Sequence, residues 1–136
     1  MSGAIRKINP AWVLRLFLGL TFLYSGLDMT RNPSLWTWTV SKAPLFLTNF
    51  IHTVGGITNF IRGVGYLELV FVALFLIPIF PRIFVKIASL LAGIEMSLIV
   101  ISLGINMTTF RDIGLAGAAF SLFILLVEHS HSHDWR

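Results

Sequence analysis

The chain has 136 residues, 56% of them hydrophobic and 12% charged, and its mean hydropathy is +0.85. Soluble domains sit near half apolar and a quarter charged, so this shortage of charge excludes an ordinary water-soluble globule and a disordered tail. The net charge of +4 comes from scattered Lys and Arg, which reads as loop charge at a lipid surface and speaks against nucleic acid as a partner.

Zero cysteines remove thiol exchange, iron–sulfur ligation and cysteine-based zinc sites, all of which need a thiolate. At about 20 residues per span, the length allows roughly four crossings with short connections. The expected fold is therefore all-α: a single transmembrane domain, an integral membrane antiparallel four-helix bundle without room for a large domain outside the bilayer.

The first span is expected over 12–28, introduced by Arg6, Lys7 and Pro10. It begins as a signal peptide does, but its exit through Tyr24, Ser25, Gly26, Leu27 and Asp28 offers no small-residue cleavage site. The loop 29–61 then carries Pro33, Trp36, Trp38, Lys42 and Pro44. Paired tryptophans among polar residues suit a segment in the headgroup region. Its apolar part, from Pro44 to Thr53, is too short to span, which predicts an interfacial or re-entrant segment broken by Gly55 and Gly56.

Further spans are expected over 62–80, 83–103 and 112–127, separated by the Pro78 and Pro81 turn and by a polar link from Gly104 to Thr109. Small residues recur at helical spacing: Gly19 and Gly26, then Ser89, Gly93 and Ser97, then Gly114 and Ala118. Such stripes let backbones approach where hydrophobic association is absent as a driving force. The excess of Lys and Arg (Arg6, Lys7, Arg82, Lys86 and Arg136 against Arg31, Lys42, Arg62 and Arg111) places both termini on the cytoplasmic side of a cell membrane.

Ionisable residues away from helix ends are the informative ones, since each is costly in hydrocarbon unless paired or hydrated. Arg15 lies about 6 Å into its span and is within snorkelling reach of the surface. Glu95 lies roughly 13 Å deep, where a short-stemmed acid is protonated, paired or faces a cavity. Glu68 stands at about 9 Å. With helices alternating in direction, Asp28, Arg62, Glu68, Glu95, Arg111 and Asp112 all fall in the outer half, where Arg62 or Arg111 can pair with either glutamate. Tyr24 and Asp28, one turn apart, share a helix face.

Trp12, Trp36 and Trp38 are read as interfacial anchors only, and His52 as a hydrogen-bonded surface residue. His129, His131 and His133 alternate with serines but lack a further ligand at a fixed interval, so the tail is read as solvated and no metal site is expected. Asn106, Met107 and Thr108 form a glycosylation acceptor pattern that carries little weight so close to the bilayer.

Arg15, Gly19, Phe22 and Gly26 stand in the arrangement R-x3-G-x2-F-x3-G within LRLFLGLTFLYSGLDM. With Glu68 in GYLELVFVALFLIP and Arg111 and Asp112 opening RDIGLAGAAFSLFILL, the chain resembles the DoxX/DoxD family of small four-helix membrane proteins. The resemblance covers nearly the whole chain apart from the aromatic part of the long loop. It implies a membrane subunit of an oxidoreductase assembly, of the kind that serves thiosulfate:quinone oxidoreductase. The family often carries a lysine after the second glycine, where this chain has Asp28 and Met29, and the lack of cysteine separates it from relatives linked to disulfides.

The expected function is thus an oxidoreductase subunit binding a quinone between its helices, with no intrinsic cofactor. Glu95 and Glu68 are its candidate proton-relay acids; Arg15, Tyr24, Asp28, Arg62, Arg111 and Asp112 are its candidate ligand-binding residues. The alternative is a non-catalytic scaffold for other membrane subunits, which requires a small-residue outer face and fully paired acids. An ion transporter using Glu68, Glu95 and Asp112 as oxygen ligands is the remaining reading.

Overall fold

The computed structural model describes residues 9–131, with side chains to Glu128. Arg6, Lys7, Arg136 and the side chains of His129, His131 and His133 lie outside the described residues. Helices α1 (Pro10–Arg31), α4 (Ile57–Leu76), α5 (Arg82–Leu103) and α6 (Thr109–His131) are the long ones; between α1 and α4 run a 3-10 turn (Pro33–Trp36), α2 (Thr37–Ser41) and α3 (Leu45–Thr53). All four long helices are long and apolar enough to cross a membrane, and together they form the helical bundle of a multi-pass membrane protein.

Local chemistry sets the helix ends. Asn9 caps α1 by accepting from the Ala11 N–H at 3.0 Å, with Pro10 at the first helical position, where its missing N–H costs nothing. Gly55 and Gly56, at φ +130° and +86°, make the left-handed break that separates α3 from α4. The second span therefore starts at Ile57, earlier than the expected residue 62. It also ends sooner, at Leu76, because Pro78 holds Ile77 extended (φ −88°, ψ 117°). Glu68 consequently lies about 17 Å from the start of its helix rather than 9 Å.

The α5 helix stops at Gly104, whose φ is +70°. Asn106 then accepts from the N–H groups of Thr108 (2.9 Å) and Thr109 (3.1 Å), while the Thr109 hydroxyl accepts from the Asn106 N–H at 2.9 Å. The Asn106 side chain of the glycosylation pattern is thus the cap of α6.

The long helices associate as two close antiparallel pairs, α1 with α4 and α5 with α6. Along α1 the buried positions are Arg15, Leu18, Gly19, Phe22, Ser25, Gly26 and Met29, one or two in each turn as one helix face must be. A Cβ on Gly26 would lie 3.0 Å from the Gly65 carbonyl oxygen, and one on Gly65 would lie 2.9 Å from the Met29 Cβ. This near-contact of backbones requires glycine on both sides. In the other pair, Gly93 receives the Phe120 ring, 2.7 Å from where its Cβ would be. Gly114 meets nothing within 4 Å, so that part of the small-residue pattern faces outward instead of packing.

Away from the glycine contact, Phe22, Phe71 and Phe75 cluster, Phe22 and Phe71 edge to face at 5.7 Å. With Leu18, Val85, Ala88, Ala92, Leu122 and Leu126 they form the principal core. The connection between α1 and α4 packs a smaller core of Val40 and Ile51 against Met29 and Ile61, while Leu45, Phe46 and Phe50 of α3 stay exposed. A short helix apolar on its outer side and seated on the bundle end is the expected interfacial segment.

Candidate cavity among the buried acids

Where α1 and α5 finish and α4 and α6 begin, the two helix pairs stop packing and enclose a cavity of about 420 Å³. Phe22 and Ser25 of α1, Glu68 and Phe71 of α4, Glu95 and Ile99 of α5, and Asp112 and Leu115 of α6 contribute to its wall; Trp36, Trp38 and Val40 from the connecting segment roof it. The walls are predominantly apolar with a few polar groups among them, the usual make-up of a small-molecule site.

Glu68 is 1% exposed. The close crossing of α1 and α4 positions it, since a Cβ on Gly26 would come within 3.2 Å of the Glu68 Cβ. That approach lets the Ser25 hydroxyl hydrogen-bond Glu68 Oε2. A hydroxyl both donates and accepts, so Ser25 serves the carboxylate as donor and the carboxylic acid as acceptor. Glu95, facing the same space from α5, is held less firmly: its Oε2 is buried and has no hydrogen-bond partner.

Asp112 is paired with its neighbour, Arg111 Nε and Nη2 both lying 3.3 Å from Oδ1. The two side chains differ in surroundings, Arg111 being 49% exposed and Asp112 only 6%. The pair thus links the cavity wall to the bundle surface. An arrangement of hydroxyl, two carboxyl groups and a carboxylate–guanidinium pair around one space can pass protons between a molecule held there and the surface.

Glu68, Glu95, Arg111 and Asp112 are therefore brought together, but other sequence candidates are not. Tyr24 is 73% exposed, on the opposite face of α1 from the cavity. Arg62 is exposed and outside the lining, so neither it nor Arg111 pairs directly with a glutamate as expected. Asp28 is half-buried and acts on the roof: its Oδ2 accepts from Trp36 Nε1 at 2.8 Å and its Oδ1 from Asn32 Nδ2 at 3.1 Å.

Arg15 lies at the far end of the bundle and turns inward rather than snorkelling. Its Nε donates to the Phe75 carbonyl at 2.8 Å, and its Nη2 to the carbonyls of Leu74 and Ile77 at 3.3 and 3.5 Å. The last carbonyls of a helix lack partners within it and carry its negative pole, so the guanidinium satisfies the end of α4.

Trp36 and Trp38, expected only as interfacial anchors, line the cavity. Ser25 carried no signal of its own; only its place beside Gly26 hints that it faces a neighbouring helix. Among the described residues no group of three metal-ligating side chains occurs, so Glu68, Glu95 and Asp112 do not form the oxygen cage that ion transport was expected to need. No family model, curated protein or solved structure matches the chain.

Proposed function

We propose that the chain is a DoxX-like membrane subunit of an oxidoreductase assembly and that it binds a quinone between its helices. The observation that carries this reading is the unpartnered Oε2 of Glu95 in the wall of an apolar cavity of about 420 Å³. A buried polar atom without a partner is costly, and a bound polar group in this space relieves that cost. Apolar walls suit a ring, and a quinone supplies oxygens that exchange protons as it takes up or gives up electrons. Glu95 and Glu68 hold and move those protons, Ser25 keeps Glu68 oriented in either protonation state, and the Arg111–Asp112 pair connects them to the surface. With no cysteine in the chain, electrons come from a partner subunit or a soluble donor.

Saturable quenching of Trp36 and Trp38 fluorescence by a decyl-substituted benzoquinone, on the full chain in lipid nanodiscs, tests the reading. Quenching is expected to saturate and to weaken in a Trp36→Phe, Trp38→Phe variant. Quenching that rises linearly and equally in both proteins overturns it.

The scaffold reading keeps one supporting observation. Gly114 and Gly117 leave open space on the outer face of α6, the kind of surface on which another helix packs closely. Its other requirement, fully paired acids, conflicts with Glu95. The two readings combine in a subunit that binds its ligand between the helix pairs and docks a partner on α6. The same reading keeps both termini cytoplasmic. Single cysteines introduced near Arg82 and near Thr108, in this cysteine-free chain, are expected to label from opposite sides of the membrane, Arg82 from the cytoplasmic one.

A further inference from the structure

Two tryptophans roof the cavity, and the charges set against them are of opposite sign. The Trp36 indole N–H donates to the Asp28 carboxylate at 2.8 Å, whereas the exposed Lys42 ammonium lies over the Trp38 ring, 5.3 Å from its centroid. A bond from the N–H to an anion pushes electron density into an indole, and a cation over the ring draws density away. Trp36 is therefore the electron-rich one of the two.

Asp28 stands where helix electrostatics argue against it. It lies in the last turn of α1, at the negative pole, where an acid is unfavourable. Arg31, three residues on, has the spacing to pair with it, yet among the described residues the salt bridge formed is Arg111–Asp112. Both oxygens of Asp28 go instead to neutral donors, Trp36 Nε1 and, at 3.1 Å, Asn32 Nδ2. A charge-assisted bond to the indole is stronger than a neutral one and offsets the misplaced acid. Trp36 lines the cavity and Asp28 does not, so the bond turns the N–H edge of the indole out of the cavity. What the ring shows to that space is carbon.

Resting on the quinone reading above, we propose that the quinone ring stacks on Trp36 and that Asp28, acting through the indole, sets a preference for the oxidised ring over the reduced one. A quinone and its hydroquinone have nearly the same shape, so the cavity walls do not tell them apart. Their rings differ in charge distribution: the quinone is electron-poor and the hydroquinone electron-rich. An electron-rich indole face attracts the first more than the second. The contact thus holds the ring until it is reduced and then loosens. Asp28 touches no ligand and is a positioning residue.

The test uses the full chain in nanodiscs under nitrogen, with a decyl-substituted benzoquinone followed by tryptophan quenching and its hydroquinone by competition. Trp38 still reports binding when Trp36 is replaced. The preference of the wild type for quinone over hydroquinone is expected to exceed that of Trp36→Phe by about fivefold, with Asp28→Asn, which offers a neutral acceptor, between them. Stacking also gives a charge-transfer absorption band, expected in the wild type, at shorter wavelength in Asp28→Asn and absent in Trp36→Phe. No such band in the wild type, the same preference in all three proteins, or a band that survives Trp36→Phe and is lost in Trp38→Phe overturns the stacking on Trp36 while leaving the quinone reading intact. A preference that falls in Trp36→Phe but is unchanged in Asp28→Asn overturns the part played by Asp28. Absence of saturable binding by either ligand overturns the quinone reading and the stacking with it.

Discussion

The two ends of the bundle are built from the same four helices and treat charge in opposite ways. At one end Arg15 is folded into the carbonyl terminus of α4 and sits above the phenylalanine cluster and the alanine-rich core of α5 and α6. Its Nε and Nη2 are engaged within the protein. At the other end the helix pairs separate, and a carboxyl oxygen of Glu95 is left without a partner. A buried guanidinium bonded to the last carbonyls of a helix holds that helix end, whereas a buried carboxyl oxygen without a partner carries an uncompensated cost.

Substitutions separate the two roles. The largest effect is expected from Gly65→Leu, which drives a side chain into Met29, Thr30 and the Gly26 carbonyl. It breaks the α1–α4 pair on which both ends depend, at a cost of about 3 kcal/mol or more, visible as loss of a monodisperse peak in detergent. Glu95→Gln comes next and acts on one end only. Turnover with quinone is expected to fall about a hundredfold, the lower range for an acid–base group, while thermal stability stays level because no protein hydrogen bond to Oε2 is lost. Full quinone-linked activity in that variant would remove Glu95 from the relay.

Arg15→Ala is expected to show the converse: a loss of about 2 kcal/mol in stability from the hydrogen bonds of a charged donor, with ligand affinity unchanged. A fall in affinity with stability retained would reverse the assignment of the two ends. The smallest effect belongs to Gly117→Ala on the open face of α6, a gain of up to about 1 kcal/mol from helix propensity alone. Loss of a co-purifying subunit in that variant would mark the face as a docking surface.

Much of the fold was legible in the sequence because the bilayer imposes simple length and hydropathy rules. The four spans, the non-spanning segment before Gly55 and Gly56, and the inward placement of Glu68 and Glu95 follow from them. What remained illegible depends on which helices face each other. The positions of Gly19 and Gly26 announce a close contact, but nothing along the chain says that Leu76 covers the first and Gly65 answers the second, and so nothing says that Ser25 meets Glu68. Arg15 reads as a snorkelling residue because its acceptors are backbone carbonyls, which every sequence has and none advertises. Trp36 reads as an anchor because its link to Asp28 spans a helix end.

The Arg15 interaction also bears on how the protein is made. Synthesis delivers α1 to the membrane before α4 exists, and the Phe75 carbonyl lies 60 residues beyond the arginine it receives. Until then the least apolar of the four spans carries a cation with only the Trp12 ring against it, and a cation at the middle of a helix costs about 2.5–3.5 kcal/mol on insertion and less near an end. Stable integration of the earlier span thus waits on the arrival of the next one, and a nascent chain halted before Leu74 is expected to slip from the bilayer more readily than its complete counterpart.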